Sequence, residues 1–283
     1  MKRRFGLALA VALGAAMIAS AARADEWSKR YSVSGKPDLA LTVDNGAVNI
    51  TAGNSGEVTV RVVTTGWRIP DDLRITESQS GNHVMVEARE THRWMEMRHG
   101  SVNVEVSVPS ETDLNVHTGN GSVMVAPVRG QERIQTGNGH IEANGLQGEL
   151  WLHTGNGHIN GSGLGGTLDA GTGNGGIVVT GRFDSLTVAC GHGQVEATAL
   201  DGSRLTSLWD IHSGVGGITL RLPSNISADL EGSTGVGKLS IDFPVTVSGS
   251  LTGSSVRGRI GNGGALLRVH TGVGSVHIER AGA

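Results

Sequence analysis

Cysteine occurs once in the 283 residues, as Cys190, so no disulfide can form within the chain. Aromatic residues make up 3% of the sequence and proline occurs six times, against 45 glycines. That balance excludes a helical globular core and suits many short strands joined by tight turns. Beyond the first two dozen residues no run is apolar enough to span a bilayer as a helix, and no aromatic-ended strand of the outer-membrane barrel type closes the chain. Basic charge is scarce as well. Without residues 1–24 the chain carries 19 basic against 26 acidic residues, a net charge near −7, and it has no basic patch or tail. Nucleic acid is therefore excluded as the expected partner.

The opening segment has the pattern of an export signal. Lys2, Arg3 and Arg4 precede an apolar stretch from Leu7 to Ile18, and Ala22-Arg23-Ala24 supplies a small-x-small cleavage signature before Asp25. The residue directly after the cleavage signature is Asp25 and not cysteine, which argues against a lipid anchor. The expectation is a signal peptide over 1–24 and a mature chain that works in the periplasm, at the cell surface or outside the cell, and not as an integral membrane protein.

What the sequence does have is a repeat. Thr-Gly-Asn-Gly occurs at 118–121, 136–139, 154–157 and 172–175, and Cys190-Gly191-His192-Gly193 follows at the same 18-residue interval. A fixed period of this size marks a solenoid. Within one copy Leu150, Leu152 and Thr154 alternate with Trp151 and His153, the period of a strand with one buried face. Gly155-Asn156-Gly157 then permits a sharp turn. Stacking such coils about 4.8 Å apart aligns Val116, Ile134, Leu152, Ala170 and Val188 in one inward column. Val123, Ile141, Ile159, Ile177 and Val195 align in a second, and Leu146 and Leu164 belong to a third. Thr118, Thr136, Thr154 and Thr172 form a buried ladder that Cys190 continues, which makes Cys190 an inert thiol. The ladder asparagines, Asn120 to Asn174, read as left-handed turn residues bonded to their equivalents one coil away. The expected fold is all-β: a parallel β-solenoid of right-handed, β-helix-like form with 18-residue coils. Residues 25–110 supply irregular opening coils and a cap and 111–283 the repeat, together one continuous domain. After Val195 the spacing loosens and the turn persists as Gly-Val-Gly at 214–216, 235–237 and 272–274, with insertions at 221–225 and 242–244 expected to bulge out as loops.

These features resemble a bacterial family of exported β-strand-repeat proteins labelled as adhesins or as domains of unknown function. The resemblance is carried by the run from Val108-Pro109-Ser110 through Thr118-Gly119-Asn120-Gly121, by the Thr-Gly-Asn-Gly series, and by the closing segments 213–222 and 271–278. It implies a β-helix-like solenoid in the cell envelope and no catalytic residues to carry over.

Three chemistries would each need a particular set of residues. A polysaccharide-processing β-helix enzyme needs paired carboxylates, and Glu142 and Glu196 would stand three coils apart, roughly 14 Å. A calcium β-roll needs an aspartate after the turn, where Ile141, Ile159 and Ile177 stand instead. A surface metal site is the third. His140 and His158 share an outward position with Glu142 beside them, a set that could hold zinc, and Met95, Met97 and His99 could hold copper. The outward row of His117, Gln135 and His153, with Trp151 beside it, is the best candidate for a ligand-binding face. The expected function is a non-enzymatic binding, adhesin-like or structural module that needs no cofactor and offers a rigid face to an envelope polysaccharide or a protein partner.

Overall fold

The computed structural model describes residues 24–91 and 100–281, and every regular element among them is a strand. The N-terminal strands are β1 (Ala24–Ser32), β2 (Asp38–Asn45), β3 (Ala47–Ala52), β4 (Glu57–Thr65), β5 (Leu73–Ser80), β6 (His83–Glu90) and β7 (Ser101–Val108). The repeat region holds β8 (Asp113–Asn120), β9 (Val123–Val125), β10 (Arg129–Asn138), β11 (Ile141–Asn144), β12 (Gln147–Asn156), β13 (Ile159–Asn174), β14 (Ile177–His192) and β15 (Val195–Ala199). The C-terminal strands are β16 (Trp209–Val215), β17 (Ile218–Leu222), β18 (Ala228–Val236), β19 (Leu239–Ile241), β20 (Val245–Thr252), β21 (Ser255–Ile260), β22 (Leu266–Val273) and β23 (Val276–Arg280). The expected signal peptide lies outside the described residues except for Ala24, and so do Met95, Met97 and His99 of the copper reading. No helix among the described residues is long and apolar enough to cross a membrane.

Alternation within each strand decides what is buried. Val116, Ile134, Leu152, Ala170 and Val188 pair in parallel register, as do Val123, Ile141, Ile159, Ile177 and Val195. All ten are buried, and Val128, Leu146 and Leu164 fill the third corner. One turn of chain has no core of its own, so each apolar residue is covered by its equivalents above and below.

The threonine ladder is a hydrogen-bonding device. Thr136, Thr154 and Thr172 each donate from Oγ1 to a glycine carbonyl of the preceding unit, Gly121, Gly139 and Gly157, at 3.0 Å. Thr118 bonds Gly46 in the same way, and Cys190 Sγ lies 3.2 Å from the Gly175 carbonyl. Cys190 is buried, and burial pushes its thiol up from the ordinary value. A thiol is a weak donor where a hydroxyl is a good one. Cys190→Thr is therefore expected to stabilise the fold by about 0.5–1 kcal/mol, read as a rise in thermal midpoint.

The asparagines behave differently from the sequence reading in one respect. Asn138, Asn156 and Asn174 donate from Nδ2 to the Oδ1 of the asparagine one unit earlier at 2.7–2.8 Å, and Asn120 donates to Asn45. None of them is left-handed, because among the described residues only glycines have positive φ. The turn is made by the glycine that follows. At Gly157 φ is +158°, and a Cβ there would lie 1.9 Å from the Gly139 carbonyl oxygen. The requirement is close approach of one turn's backbone to the next, so Gly157→Ala is expected to cost several kcal/mol, about the range of a strained core substitution. Chemical denaturation would measure it.

The stacking order departs from chain order at both ends. β2 lies between β6 and β8, and β3 between β7 and β9. β22 lies between β16 and β18, and β23 between β17 and β19. The hydroxyl ladder confirms this order: Thr271 donates to Gly216 O, and Thr234 donates to Gly274 O. Each end of the regular stack is thus completed by a segment that comes from elsewhere in the chain. Position 110 is no break in the sheet, since β2 pairs directly with β8. Antiparallel strands then cover three of the four end strands, β6, β7 and β18: β5 on β6, β4 on β7 and β1 on β4 at one end, β21 on β18 and β20 on β21 at the other. An uncovered parallel edge would be a template for pairing with another chain.

Candidate functional site

The outward positions of β8, β10, β12 and β13 form two neighbouring rows. One runs His117, Gln135, His153, Gly171; the other runs Asn115, Arg133, Trp151, Asp169. His117, Gln135 and His153 thus align in register along one row. The second row carries most of the contacts. The Trp151 and His153 rings stack with centroids 3.9 Å apart and planes 12° apart. The Arg133 guanidinium carbon lies 4.0 Å from the Trp151 ring centroid. His153 Nε2 is 3.0 Å from Asp169 Oδ1.

Glycine makes the stack possible. A Cβ on Gly171 would sit 2.6 Å from the His153 ring, so only glycine leaves room for the imidazole to lie over β13. The result is a fixed array, Arg133–Trp151–His153–Asp169, beside a groove of about 340 Å³ lined also by Gln131, Glu149 and Thr167. The indole is already stacked by the protein's own groups, so a sugar ring could stack on it only by displacing Arg133 or His153. The groove edge, with its fork of guanidinium donors and its carboxylates, is the part open to a ligand.

The histidines of the zinc reading stack at 5.4 Å and 20°. Their Nδ1 atoms accept backbone N–H bonds, His140 from His158 N at 3.1 Å and His158 from Gly176 N at 2.8 Å. In a neutral imidazole so bonded, the proton resides on Nε2, so neither ring offers a free lone pair. No group of three or more His, Cys, Asp or Glu among the described residues is placed to hold a metal. Glu142 is linked to Glu196 only through Asn160 and Val178, three strand steps away.

A second groove, of about 470 Å³, lies where β21 and β22 flank β18. Ser233 Oγ is 3.0 Å from His270 Nδ1 there, while Arg257 and Arg268 both pair with Glu231. A serine–histidine pair needs a carboxylate on the other imidazole nitrogen to hold the tautomer, and none of the described carboxylates bonds His270.

One residue escaped the sequence reading. Glu132 stands in register with Leu114 and Leu150, in a column of inward leucines, and is 1% exposed. Neither carboxyl oxygen has a hydrogen-bond partner. Burial, then the Asp113 carboxylate, push its pKa up to about 8, against the opposing pull of Lys36 and its own backbone. The signal was present in the sequence: position 132 breaks a series that reads Leu at 114, 150, 168 and 186.

Several solved structures are similar to the chain over most of its length at low identity. A "putative lipid binding protein" of Parabacteroides distasonis is 13% identical over 90% of this chain and 96% of its own, with a TM-score of 0.48. A "putative adhesin" of Bacteroides fragilis is 12% identical over 90% and 97%, at 0.43, and a "putative cell adhesion protein" of Clostridium sporogenes is 13% identical over 91% and 100%, at 0.33. No curated protein matches the sequence. The family model Toastrack DUF4097 matches residues 37–279.

Proposed function

The chain belongs to the Toastrack DUF4097 family, and we propose that it is a non-enzymatic binding module of the cell envelope. In this reading residues 1–24 direct export, and the stack is a right-handed solenoid of 18-residue coils whose face over β10, β12 and β13 meets an envelope polysaccharide or a protein partner. The observation that carries the reading is the Arg133–Trp151–His153–Asp169 array. Four outward side chains from three stacked strands are mutually packed beside a groove, a degree of preorganisation that solvated surface residues do not need. The spacing of Glu142 from Glu196 and the incomplete serine–histidine pair support binding over turnover.

Mature protein, residues 25–283, passed over immobilised peptidoglycan and envelope polysaccharides tests the reading. Trp151→Ala and His153→Ala are expected to weaken retention about tenfold each, equivalent to about 1.4 kcal/mol. Val178→Thr, an exposed change on the strand β14 away from that face, is expected to leave retention unchanged. Equal retention of all three variants would remove this face from the reading.

A further inference from the structure

We infer that the groove beside Trp151 recognises a carboxylate-bearing sugar unit, with Arg133 as the group that takes the carboxylate. The inference rests on the binding-module reading and names the ligand chemistry of that face. Arg133 is exposed and lies on the indole, 4.0 Å from its centroid. Its hydrogen-bond donors have no carboxylate or carbonyl partner among the described residues. On other strands Arg61, Arg221 and Arg268 are each bridged to two carboxylates, whereas Arg74, Arg129 and Arg259, like Arg133, have no ion pair among the described residues. The carboxyl groups that line the groove form no ion pair with Arg133: Asp169 is engaged by His153, and neither Glu132 nor Glu149 pairs with it. The guanidinium over the ring stays exposed, and arginine binds a carboxylate through two parallel N–H bonds.

The rest of the groove narrows the class. Glu132, Glu149 and Asp169 line it, and these carboxyl groups disfavour a phosphate dianion more than a single carboxylate. The same groups accept hydrogen bonds from hydroxyls, and Gln131 and Thr167 both donate and accept. One negative charge among several hydroxyls is the chemistry of a uronic acid residue. The volume of about 340 Å³ falls at the lower end of small-ligand sites.

The test compares the mature protein on polygalacturonate and on the same polymer with its carboxylates methyl-esterified. Retention on the acid form, lost about tenfold or more on the ester and in Arg133→Gln, and weakened by rising salt, is the expected result. Arg133→Lys is expected to lose most of the retention too, because lysine keeps the charge but not the fork. Equal retention on both forms, sensitive to His153→Ala but not to Arg133→Gln, overturns the carboxylate inference and leaves the binding face standing. Retention on neither form overturns the inference, and the peptidoglycan and polysaccharide panel then decides the wider reading. Thermal midpoints of the variants, expected within a few degrees of the parent, separate lost recognition from lost folding.

Discussion

A chain ending at Ala265 is expected to lose its folded C-terminal third. Truncation of a solenoid from its last coil ordinarily frays one end, because each coil touches only its neighbours. Here the last strands in sequence are not the last in space. β22 pairs with β16 on one side and β18 on the other, and β23 with β17 and β19. Their removal strips both partners of each at once and opens a parallel edge on β16, β17, β18 and β19 in the middle of the stack. Leu267, Val269, Val276 and Ile278, all fully buried, go with them. At about 1.5–3 kcal/mol each, these four residues represent about 6–12 kcal/mol, comparable to the whole stability of an ordinary domain. The truncated chain is expected to be digested by limiting protease back to the region of β14–β16, with β18–β21 unprotected. A truncated protein whose hairpin β20–β21 resists protease, with a midpoint within a few degrees of the parent, would contradict the intercalated order. The milder variant Val269→Ala is expected to cost about 2–4 kcal/mol in chemical denaturation.

Glu132→Leu is the opposite case, a substitution expected to stabilise. The side chain occupies a leucine position, buried, with no partner for either oxygen. Its folded-state pKa of about 8 stands above the ordinary 4.5. Between those values the folded protein holds a proton that the unfolded chain has released, so stability falls as pH rises. The loss is absent below about pH 4.5 and complete above about pH 8. The shift sets an upper bound of about 5 kcal/mol on that loss. Leucine removes the proton linkage and restores the apolar column of Leu114 and Leu150. The difference in unfolding free energy between variant and parent is therefore expected to grow with pH and level off above about 8. This runs against the usual acid sensitivity of surface carboxylates such as Glu26 and Glu87, whose pKa values the neighbouring Arg61 and Arg89 lower through hydrogen bonds. A pH-independent difference would mean that the Glu132 carboxyl is solvated or partnered in solution.

The period made the inward columns legible, because side-chain alternation and an 18-residue spacing leave no other face for Val116, Ile134 and Leu152. It also placed His117, Gln135 and His153 in one row. The stacking order was not legible. The Gly-Val-Gly turns at 214–216, 235–237 and 272–274 are locally equivalent, and nothing in a turn states which coil will lie against it. That choice depends on how antiparallel strands cover the ends, a non-local property. The handedness attributed to the asparagines followed a statistical preference that an interunit amide ladder does not require. The Trp151 array was missed for a related reason. A row read along one column shows Trp151 beside His153, but the stack with Arg133 and the bond to Asp169 cross between neighbouring strands.

The central claim, binding without turnover, is tested most directly by incubating residues 25–283 with peptidoglycan and a panel of envelope polysaccharides while assaying retained protein and released fragments together. Retention without fragments, lost in Trp151→Ala and His153→Ala, is the predicted result. Released fragments would contradict it and point to chemistry that the spacing of Glu142 from Glu196 argues against.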